Sequence, residues 1–280
     1  MKALLRLLAC AVGGLLTLTL GFFAWQAFWP VQAAPGWAWE VAHDDVPKAA
    51  ALVRERDGAV LISQELQAGE GSLLRIDAQG VRHQVLGGLS KPDGLALTPH
   101  GVAFSEEVGG AAVSLLGPGG ATPLFRGDNL QHLWSEGDDL YSVEDRKGQG
   151  RLLRFRFSTG ELEVLREGLA ESEAVTRCAG GPLLYTEKTK GVVRQYQPGG
   201  QDSTLVSGLS NPTFLMCDAR GLWISEDDTH RARLLLRDPQ GQLHTVLSFL
   251  KAPQALLADG PDGYLLAEGG RDRVLRLHVE

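Results

Sequence analysis

The chain has 280 residues and a formal net charge of −7, a length that suits one large domain or two ordinary ones. The acidic balance argues against binding to nucleic acid, because no basic stripe is available to neutralise phosphates. The 35 glycines recur at turn positions and form no low-complexity tract, so the composition does not indicate disorder.

The first predicted element is a helix that crosses a membrane. Lys2 and Arg6 precede a run that is uncharged as far as Trp39, and residues 7–28 alone are long enough to span a bilayer. Positive charge before the run and none directly after it predicts that the body of the chain lies outside the cytoplasm. Val31-Gln32-Ala33 also offers a signal-peptidase site. Because the apolar run is longer than an ordinary signal-peptide core, we favour an uncleaved anchor.

Beyond this segment, a short phrase recurs that consists of large apolar residues, a small residue and an acid. Its copies are VAFSE, LYSVE, LLYTE, LWISE and YLLAE, and a weaker copy is VLISQ. Their last residues are Gln64, Glu106, Glu144, Glu187, Glu226 and Glu268, so the period is 38 to 43 residues. A repeat of this length is typical of propellers and solenoids.

Each unit predicts a four-stranded antiparallel meander. In the second unit, strands separated by Gly, Pro and Asp turns are predicted at residues 95–97, 102–105, 112–116 and 122–125. One such sheet cannot bury both of its faces, so the units must stack. The sixth unit lacks a fourth strand. We expect residues 37–41, which alternate in polarity as a half-buried strand does, to pair beside residues 274–279 and close a ring of six blades.

The order of proline, apolar strand, Asp/Gly turn, acid-terminated strand, short loop, apolar strand and glycine turn resembles NHL-repeat propellers. It is also similar to the regucalcin/gluconolactonase, paraoxonase and strictosidine-synthase-like six-bladed propellers. GLWISE and LLYTE are similar to the blade motif of streptogramin lyases, which have seven blades. The resemblance covers residues 47–280 and concerns blade motifs alone. We therefore predict an all-β fold, a six-bladed β-propeller of four-stranded antiparallel blades in residues 36–280, preceded by one transmembrane helix in residues 1–35.

The resemblance implies a ligand site at one mouth of the central channel. The calcium-dependent hydrolases of this group hold their metal there with an acid and several asparagines, usually in Asn-Asp or Asn-Gly pairs, and calcium prefers such oxygen ligands. The corresponding pairs in this chain contain no asparagine and are Asp93-Gly94, Gln131-His132, Glu173-Ala174 and Thr213-Phe214. The calcium ligands available near this mouth are Asp93, Asn129, Glu173 and Asn211. The other residues expected at the ligand-binding mouth are Gln131, His132, Thr213 and Gln254.

The repeated glutamates have two interpretations. They could form a negative ring that attracts a cation or a basic partner. Because every blade carries the residue, we favour a structural role in which each glutamate accepts N–H bonds from the loop after its own strand. Acidic runs such as residues 226–228 are interpreted as solvated loop faces.

Cys178 and Cys217 occupy equivalent positions in adjacent units, each nine residues before its glutamate. A bridge between them is conceivable in an oxidising compartment. The innermost strands of neighbouring blades are usually farther apart than the Cα separation of roughly 4.4–6.8 Å that a disulfide tolerates. We therefore expect two buried free thiols.

Two functions remain open. The first is a binding module, tethered to the cytoplasmic membrane on its extracytoplasmic (periplasmic) side, whose mouth recognises a small molecule or a protein. The alternative is a calcium-dependent hydrolase of the lactonase or esterase type. The sequence assigns no catalytic residue, since it has no nucleophile elbow, no zinc spacing and no tight cluster of Glu with His132 or His230. The absence of asparagine pairs leads us to prefer binding.

Overall fold

The structure is a computed structural model that describes residues 2–228 and 230–280, apart from the side chains of residues 26 and 27. One helix, α1 (Lys2–Phe28), precedes six antiparallel sheets that form the six blades of a β-propeller. The predicted fold class is confirmed. Each blade is entered at its innermost strand and traversed outwards, so the apolar faces of neighbouring blades pack against one another around the ring.

The strands have the following bounds. Two short N-terminal strands come first: β1 (Gln32–Ala33) and β2 (Trp37–His43). Blade 1 contains β3 (Ala49–Arg54), β4 (Val60–Gln64), β5 (Gly71–Ile76) and β6 (Arg82–Leu89). Blade 2 contains β7 (Pro92–Thr98), β8 (Gly101–Glu106), β9 (Ala111–Gly117) and β10 (Gly120–Gly127). Blade 3 contains β11 (Leu130–Glu136), β12 (Asp139–Glu144), β13 (Gly150–Arg156) and β14 (Glu161–Leu169).

The remaining blades follow the same plan. Blade 4 contains β15 (Val175–Arg177), β16 (Leu183–Glu187), β17 (Val192–Gln195) and β18 (Ser203–Ser207). Blade 5 contains β19 (Pro212–Asp218), β20 (Gly221–Glu226), β21 (Ala232–Arg237) and β22 (Leu243–Leu250). Blade 6 contains β23 (Pro253–Ala258), β24 (Gly263–Glu268) and β25 (Arg273–Val279), with β2 as its outermost strand.

Strand β2 closes the ring in the way that the sequence pattern predicts. It pairs antiparallel with β25, from Trp37 opposite Val279 to His43 opposite Val274, and so extends two residues beyond the predicted strand. The ring of Trp37 lies edge-on to that of the fully buried Trp223, with 5.6 Å between their centroids. The first segment of the propeller is thus joined to the last strand by a hydrogen-bond ladder and to blade 5 by aromatic packing.

The segment just before β2 is also part of the propeller, which the sequence analysis did not anticipate. Strand β1 adds a fifth strand to blade 5 by pairing with β22, with Gln32 opposite Ser248 and Ala33 opposite Leu247. Val31 is only 5% exposed and belongs to the main apolar core. The candidate signal-peptidase site therefore lies in residues that the folded propeller uses.

The two cysteines of the propeller form a disulfide, so the expectation of free thiols was wrong. The Cα atoms of Cys178 and Cys217 are 5.1 Å apart, within the range that a bridge requires. Cys178 directly follows β15 and Cys217 lies in β19, the innermost strands of blades 4 and 5. These strands line a narrow channel and contact each other directly, which brings equivalent positions closer together than the general spacing of blades suggests.

In blades 2 to 6, the acid that ends the second strand accepts an N–H group of the connector that enters the blade. Glu226 is fully buried, its Oε1 accepts the N–H of Ser210 at 2.8 Å, and Arg233 binds both of its oxygens at 2.6 and 2.8 Å. Glu144 makes the same contacts with Asp128 and Arg151. The structural interpretation was correct, but the accepted N–H group belongs to the connector that enters the blade and not to the loop after the glutamate's own strand.

The small polar residue before the last motif residue hydrogen-bonds to the innermost strand, which opens with a bulge. Register shifts occur at the start of β3, β7, β11, β19 and β23. A bulge leaves a backbone N–H without a partner in the ladder. The hydroxyl of Ser105 accepts such a group from Gly94 at 2.9 Å, and that of Ser63 accepts one from Ala51 at 2.8 Å.

Candidate functional site at the channel mouth

One face of the propeller, here called the mouth face, carries the connectors between blades and the loops after the second strands. In every blade, the residue after the last motif residue donates its N–H to a connector residue with φ between 45° and 52°. The six connector residues are Lys48, Lys91, Asn129, Glu171, Asn211 and Ala252. Their partners are Glu65, Glu107, Asp145, Lys188, Asp227 and Gly269. This backbone frame is the same in each blade, whereas its side chains differ.

Two residues beyond each of these connector positions, the bulged opening of the innermost strand directs a side chain into the channel. Equivalent positions are occupied by Ala50, Asp93, Gln131, Glu173, Thr213 and Gln254. Gly94 is required beside Asp93, because a Cβ there would lie 2.5 Å from Ser105 Oγ and 2.6 Å from the Gln131 carbonyl oxygen. Two sets of positions that vary between blades therefore line the channel entrance. One is the residue after the last motif residue, and the other lies two positions beyond the connector residue.

Together these positions form a polar cavity of about 240 Å³, here called the mouth cavity. The carboxyl groups at its wall belong to Glu65, Asp93, Glu107, Asp145, Glu173 and Asp227. Its other polar side chains are Lys91, Lys188, Gln131 and Gln254. Six acids against two lysines make this entrance electronegative, and the low polarity of the surrounding protein strengthens the field.

Each lysine lies between carboxylates. Lys91 binds Glu107 and has its Nζ 3.5 Å from Glu65 Oε1. Lys188 Nζ lies 2.5 Å from Glu173 Oε1 and 3.9 Å from Asp227 Oδ2. Although burial opposes the charge on Lys188, the surrounding carboxylates keep its pKa above the ordinary value. Both lysines therefore serve as fixed cations within the acidic wall.

Glu173 is the most buried carboxyl group of the cavity, with an exposed fraction of 6%. Burial raises its pKa to about 8; Asp145 and Asp227 act in the same direction, and the ammonium group of Lys188 opposes the shift. Near neutral pH the raised pKa favours the protonated form of this carboxyl group. It is suited to binding a cation in place of that proton.

Like Asp145, whose buried Oδ1 has no hydrogen-bond partner among the described residues, Asp93 is a carboxyl group of the cavity without a partner. It lies at the inner end of the mouth cavity, where no described residue gives it a hydrogen bond or an ion pair within 4.0 Å. Burial raises the pKa of Asp93 well above its ordinary value, and the charges of Glu65, Glu107 and Glu173 raise it further. The side chain of Gln131, a residue only 5% exposed, also lines the cavity with no partner among the described residues. A buried amide such as that of Gln131 is normally paired, and the partly buried Asp93 carboxyl group opens onto the same cavity, so both are placed to contact a ligand or ordered water.

His132 lies deeper in the channel, in a narrow space shared with Asp93, Glu173, Thr213 and Phe214. Its Nδ1 faces the N–H of Val175 at 3.4 Å, a long hydrogen bond. Burial lowers the pKa of His132 to about 4, so the ring is neutral at physiological pH. Since Nδ1 accepts, Nε2 carries the proton and is a hydrogen-bond donor.

The structure brings six of the eight sequence-predicted residues to this channel and leaves two outside. Asp93, Glu173, Gln131 and Gln254 line the mouth cavity, and His132 and Thr213 lie below it. Asn129 and Asn211 do not contribute to either lining.

The two asparagines serve the backbone frame. Each has φ of 50°, in the left-handed region that asparagine tolerates well. The side-chain amide of Asn129 donates to the Asp145 carbonyl oxygen at 3.2 Å, and that of Asn211 does the same to Asp227. These two side chains are held in the connectors, and Glu173 is ion-paired with Lys188. The four predicted calcium ligands therefore do not converge. Among the described residues, no three His, Cys, Asp or Glu side chains are placed to share a metal.

Sequence reasoning missed the residues that follow the motif acids. Glu107, Asp145, Lys188 and Asp227 all line the mouth cavity, although the run containing Asp227 was interpreted as a solvated loop. The available signal was positional: each stands one residue after a repeated acid, yet its identity changes from blade to blade.

The fold and this site define a six-bladed propeller with a charged cavity at one mouth, and solved propeller structures are similar to it. A gluconolactonase from Xanthomonas campestris has a TM-score of 0.72 at 13% identity, covering 89% of this chain and 91% of its own. The virginiamycin B lyase of Staphylococcus aureus has a TM-score of 0.61 at 14% identity, covering 87% of this chain and 100% of its own.

An auxiliary nutrient binding protein from Bacteroides thetaiotaomicron is similar as well, with a TM-score of 0.65 at 13% identity over 85% of this chain and 70% of its own. No protein-family model and no curated protein sequence matches the chain. At these identities the likeness establishes the propeller fold, in agreement with the predicted resemblance to gluconolactonase-like propellers, and leaves the activity to be argued from the site.

Proposed function

We propose that the protein is a membrane-tethered binding module whose mouth cavity takes a small, positively charged polar ligand. The observation that carries this proposal is the unpartnered pair Asp93 and Gln131 at the inner end of a cavity with six carboxyl groups. A cation with N–H donors would stabilise the ionised form of Asp93 and hydrogen-bond to Gln131. The volume of about 240 Å³ lies just below the usual range of ligand pockets, which favours a small molecule over a protein loop.

Anchoring in the cytoplasmic membrane, with the propeller on the periplasmic side, is the second part of the proposal. Residues 2–25 of α1 form a helix that is long and apolar enough to cross a membrane, as a signal sequence can also be, and none of this stretch is buried against the propeller. The disulfide Cys178–Cys217 supports an oxidising compartment. The involvement of Val31 and β1 in the propeller supports retention of the N-terminal segment.

A calcium-dependent hydrolase of the lactonase or esterase type is the second candidate. It is favoured by the likeness to a gluconolactonase fold and by the two carboxyl groups of Asp93 and Glu173 in one channel. In that case calcium would displace Lys188 from Glu173, and the metal would polarise a carbonyl group when bound. The remaining oxygen ligands would come from residues other than Asn129 and Asn211.

The deciding experiment measures the melting temperature of the full-length protein in detergent with ethanolamine, with calcium chloride, or with neither. Ethanolamine is expected to raise the Tm of the wild type and of the surface control Glu161→Gln, but not that of Asp93→Asn, because a ligand stabilises only the state that binds it. A rise with calcium alone, together with hydrolysis of glucono-lactone, would establish the hydrolase instead. No response to either probe in the wild type would contradict both candidates.

A further inference from the structure

We infer that the mouth cavity faces the membrane and takes the primary-ammonium headgroup of a lipid, a conclusion that rests on the binding function proposed above. The juxtaposition behind it is that the end of α1 is fixed to the same face of the propeller on which the mouth cavity opens. Free phosphoethanolamine carries the same ammonium and phosphate groups but is a soluble molecule and not part of a lipid.

The position of the membrane is set by a very short link. Helix α1 ends at Phe28, and Val31 is already buried in the propeller core. Only Trp29 and Pro30 lie between them, so the helix end lies within about 10 Å of the propeller edge at no more than 3.6 Å per residue. Strand β1 pairs with the last residues of β22, the end of that strand from which the connector to blade 6 leaves on the mouth face.

Direct contacts attach the helix end to that connector. Arg271 donates to the carbonyl oxygens of Trp29 at 3.1 Å and of Phe249 at 3.0 Å. The ring of Phe249 lies 5.9 Å from that of Trp29 and 6.1 Å from that of Trp25. Phe249 lies near the end of β22, directly before the connector whose Ala252 lines the mouth cavity. The helix is therefore joined to the mouth face and not to the opposite face.

The helix leads away from the propeller. No residue of 2–25 is buried in the propeller, and it is Trp25, at the end of this stretch, that packs against Phe249. The 27 residues of α1 give a rod about 40 Å long at 1.5 Å per residue, enough for a bilayer. Trp25 and Trp29 lie at its propeller end, where aromatic rings suit the lipid–water interface. If α1 spans the bilayer, the interface lies at the level of the mouth face, and headgroups are the nearest ligands.

The chemistry of the cavity selects among headgroups. A primary ammonium group has three N–H donors that can satisfy Asp93 and the Gln131 amide oxygen together. A choline headgroup has no N–H donor and is bulkier, so it would leave both groups unpaired. The phosphate of the headgroup would lie farther out, near loops such as that of Lys147, whose side chain is 85% exposed. Phosphatidylethanolamine is therefore expected to bind in preference to phosphatidylcholine.

The test places the full-length protein in nanodiscs of phosphatidylcholine with and without phosphatidylethanolamine and measures Tm. Phosphatidylethanolamine is expected to raise the Tm of the wild type and of Glu161→Gln by about 3 °C, the shift that corresponds to roughly 1 kcal/mol of ligand stabilisation. Asp93→Asn and Gln131→Met should lose that shift. O-phosphoethanolamine, added to phosphatidylcholine nanodiscs, forms the soluble arm.

The outcomes separate the two proposals. Stabilisation by the soluble compound with none from the lipid would overturn the membrane-facing inference and leave the binding function intact. No response in either arm would overturn both. The orientation is checked independently by labelling Lys147→Cys and Gln79→Cys in a Cys10→Ser background with a fluorophore, in nanodiscs that carry a headgroup nitroxide quencher. Lys147 is on the mouth face and Gln79 is in a turn on the opposite face, so only the first label should be quenched; quenching of the second alone would refute the inference.

Discussion

At the scale of single residues, the mouth cavity depends on carboxyl groups that are held close together at a cost in stability. Glu173 is nearly buried, and Asp93 is repelled by Glu65, Glu107 and Glu173. Lys91 and Lys188 offset part of this repulsion but leave Asp93 without a direct partner. Such destabilising arrangements are characteristic of functional sites, and they yield a pH dependence with a definite sign.

The pKa of Glu173 predicts that stability falls as the pH rises. The folded protein holds a proton on Glu173 up to about pH 8, whereas the unfolded chain releases it near pH 4.5. Between these values the folded state binds more protons, so the free energy of unfolding should decrease with pH by up to about 1.4 kcal/mol per unit through this group.

Urea unfolding of the wild type and of Glu173→Gln from pH 5 to pH 8 measures this slope. The Gln variant cannot titrate at this position and should show a flatter profile, while Glu161→Gln should follow the wild type. A Glu173→Gln profile as steep as that of the wild type would show that the proton is bound elsewhere.

Among the site residues, those at the openings of the innermost strands were accessible from the sequence. Asp93, Gln131 and Glu173 follow from the repeat, because the repeat locates each blade and hence its entrance. Asp227 was not recognised, since an acidic residue in a hydrophilic loop looks the same whether it faces solvent or the channel. Its direction depends on the backbone bond from its N–H to the Asn211 carbonyl oxygen, which no local pattern in the sequence reveals.

At the scale of secondary-structure elements, neighbouring blades are joined by more than apolar packing. The disulfide between Cys178 and Cys217 connects blades 4 and 5 near the face opposite the mouth. It closes a loop with a sequence separation of 39 residues, which restricts the unfolded chain.

Removing this disulfide is expected to lower the free energy of unfolding by about 2–4 kcal/mol. The comparison is between the wild type and the double variant Cys178→Ser/Cys217→Ser, unfolded by denaturant with and without a reductant. The reductant should destabilise the wild type and leave the double variant unchanged. Cys10→Ser is the matched control, because Cys10 is exposed and unbonded in the structure. Equal stability of wild type and double variant would contradict this role.

At the scale of the whole molecule, the two chain segments before the first blade complete the ring. Strand β2 supplies the outer strand of blade 6, and β1 with Val31 covers the outer edge of blade 5. Cleavage after Ala33 would remove β1 and a residue of the main core while leaving β2 intact. The residues that a signal peptidase would remove are therefore packed into the folded propeller.

We therefore expect the mature protein to retain its N-terminal segment. Intact-mass measurement of the protein from the membrane fraction should give a chain that includes Val31, and alkaline carbonate washing should not release it. Replacement of Ala33 by leucine, which would block the candidate processing site, should leave the mass changed only by the substitution. A mature chain that begins at Ala34 would disprove retention and remove the structural basis for the membrane-facing mouth.

The sequence alone was sufficient for the blade count, the blade pattern and the closure by the Trp37 segment. Each of these follows from a periodicity of polarity and turn residues that every unit repeats, and local pattern is enough to specify a meander. The tertiary structure decided what depends on the distance between units: the disulfide, the addition of β1 to blade 5, and the convergence of Glu107, Asp145, Lys188 and Asp227 on the mouth cavity. These contacts join residues from different blades or from distant parts of the chain, so only closure of the ring brings them together.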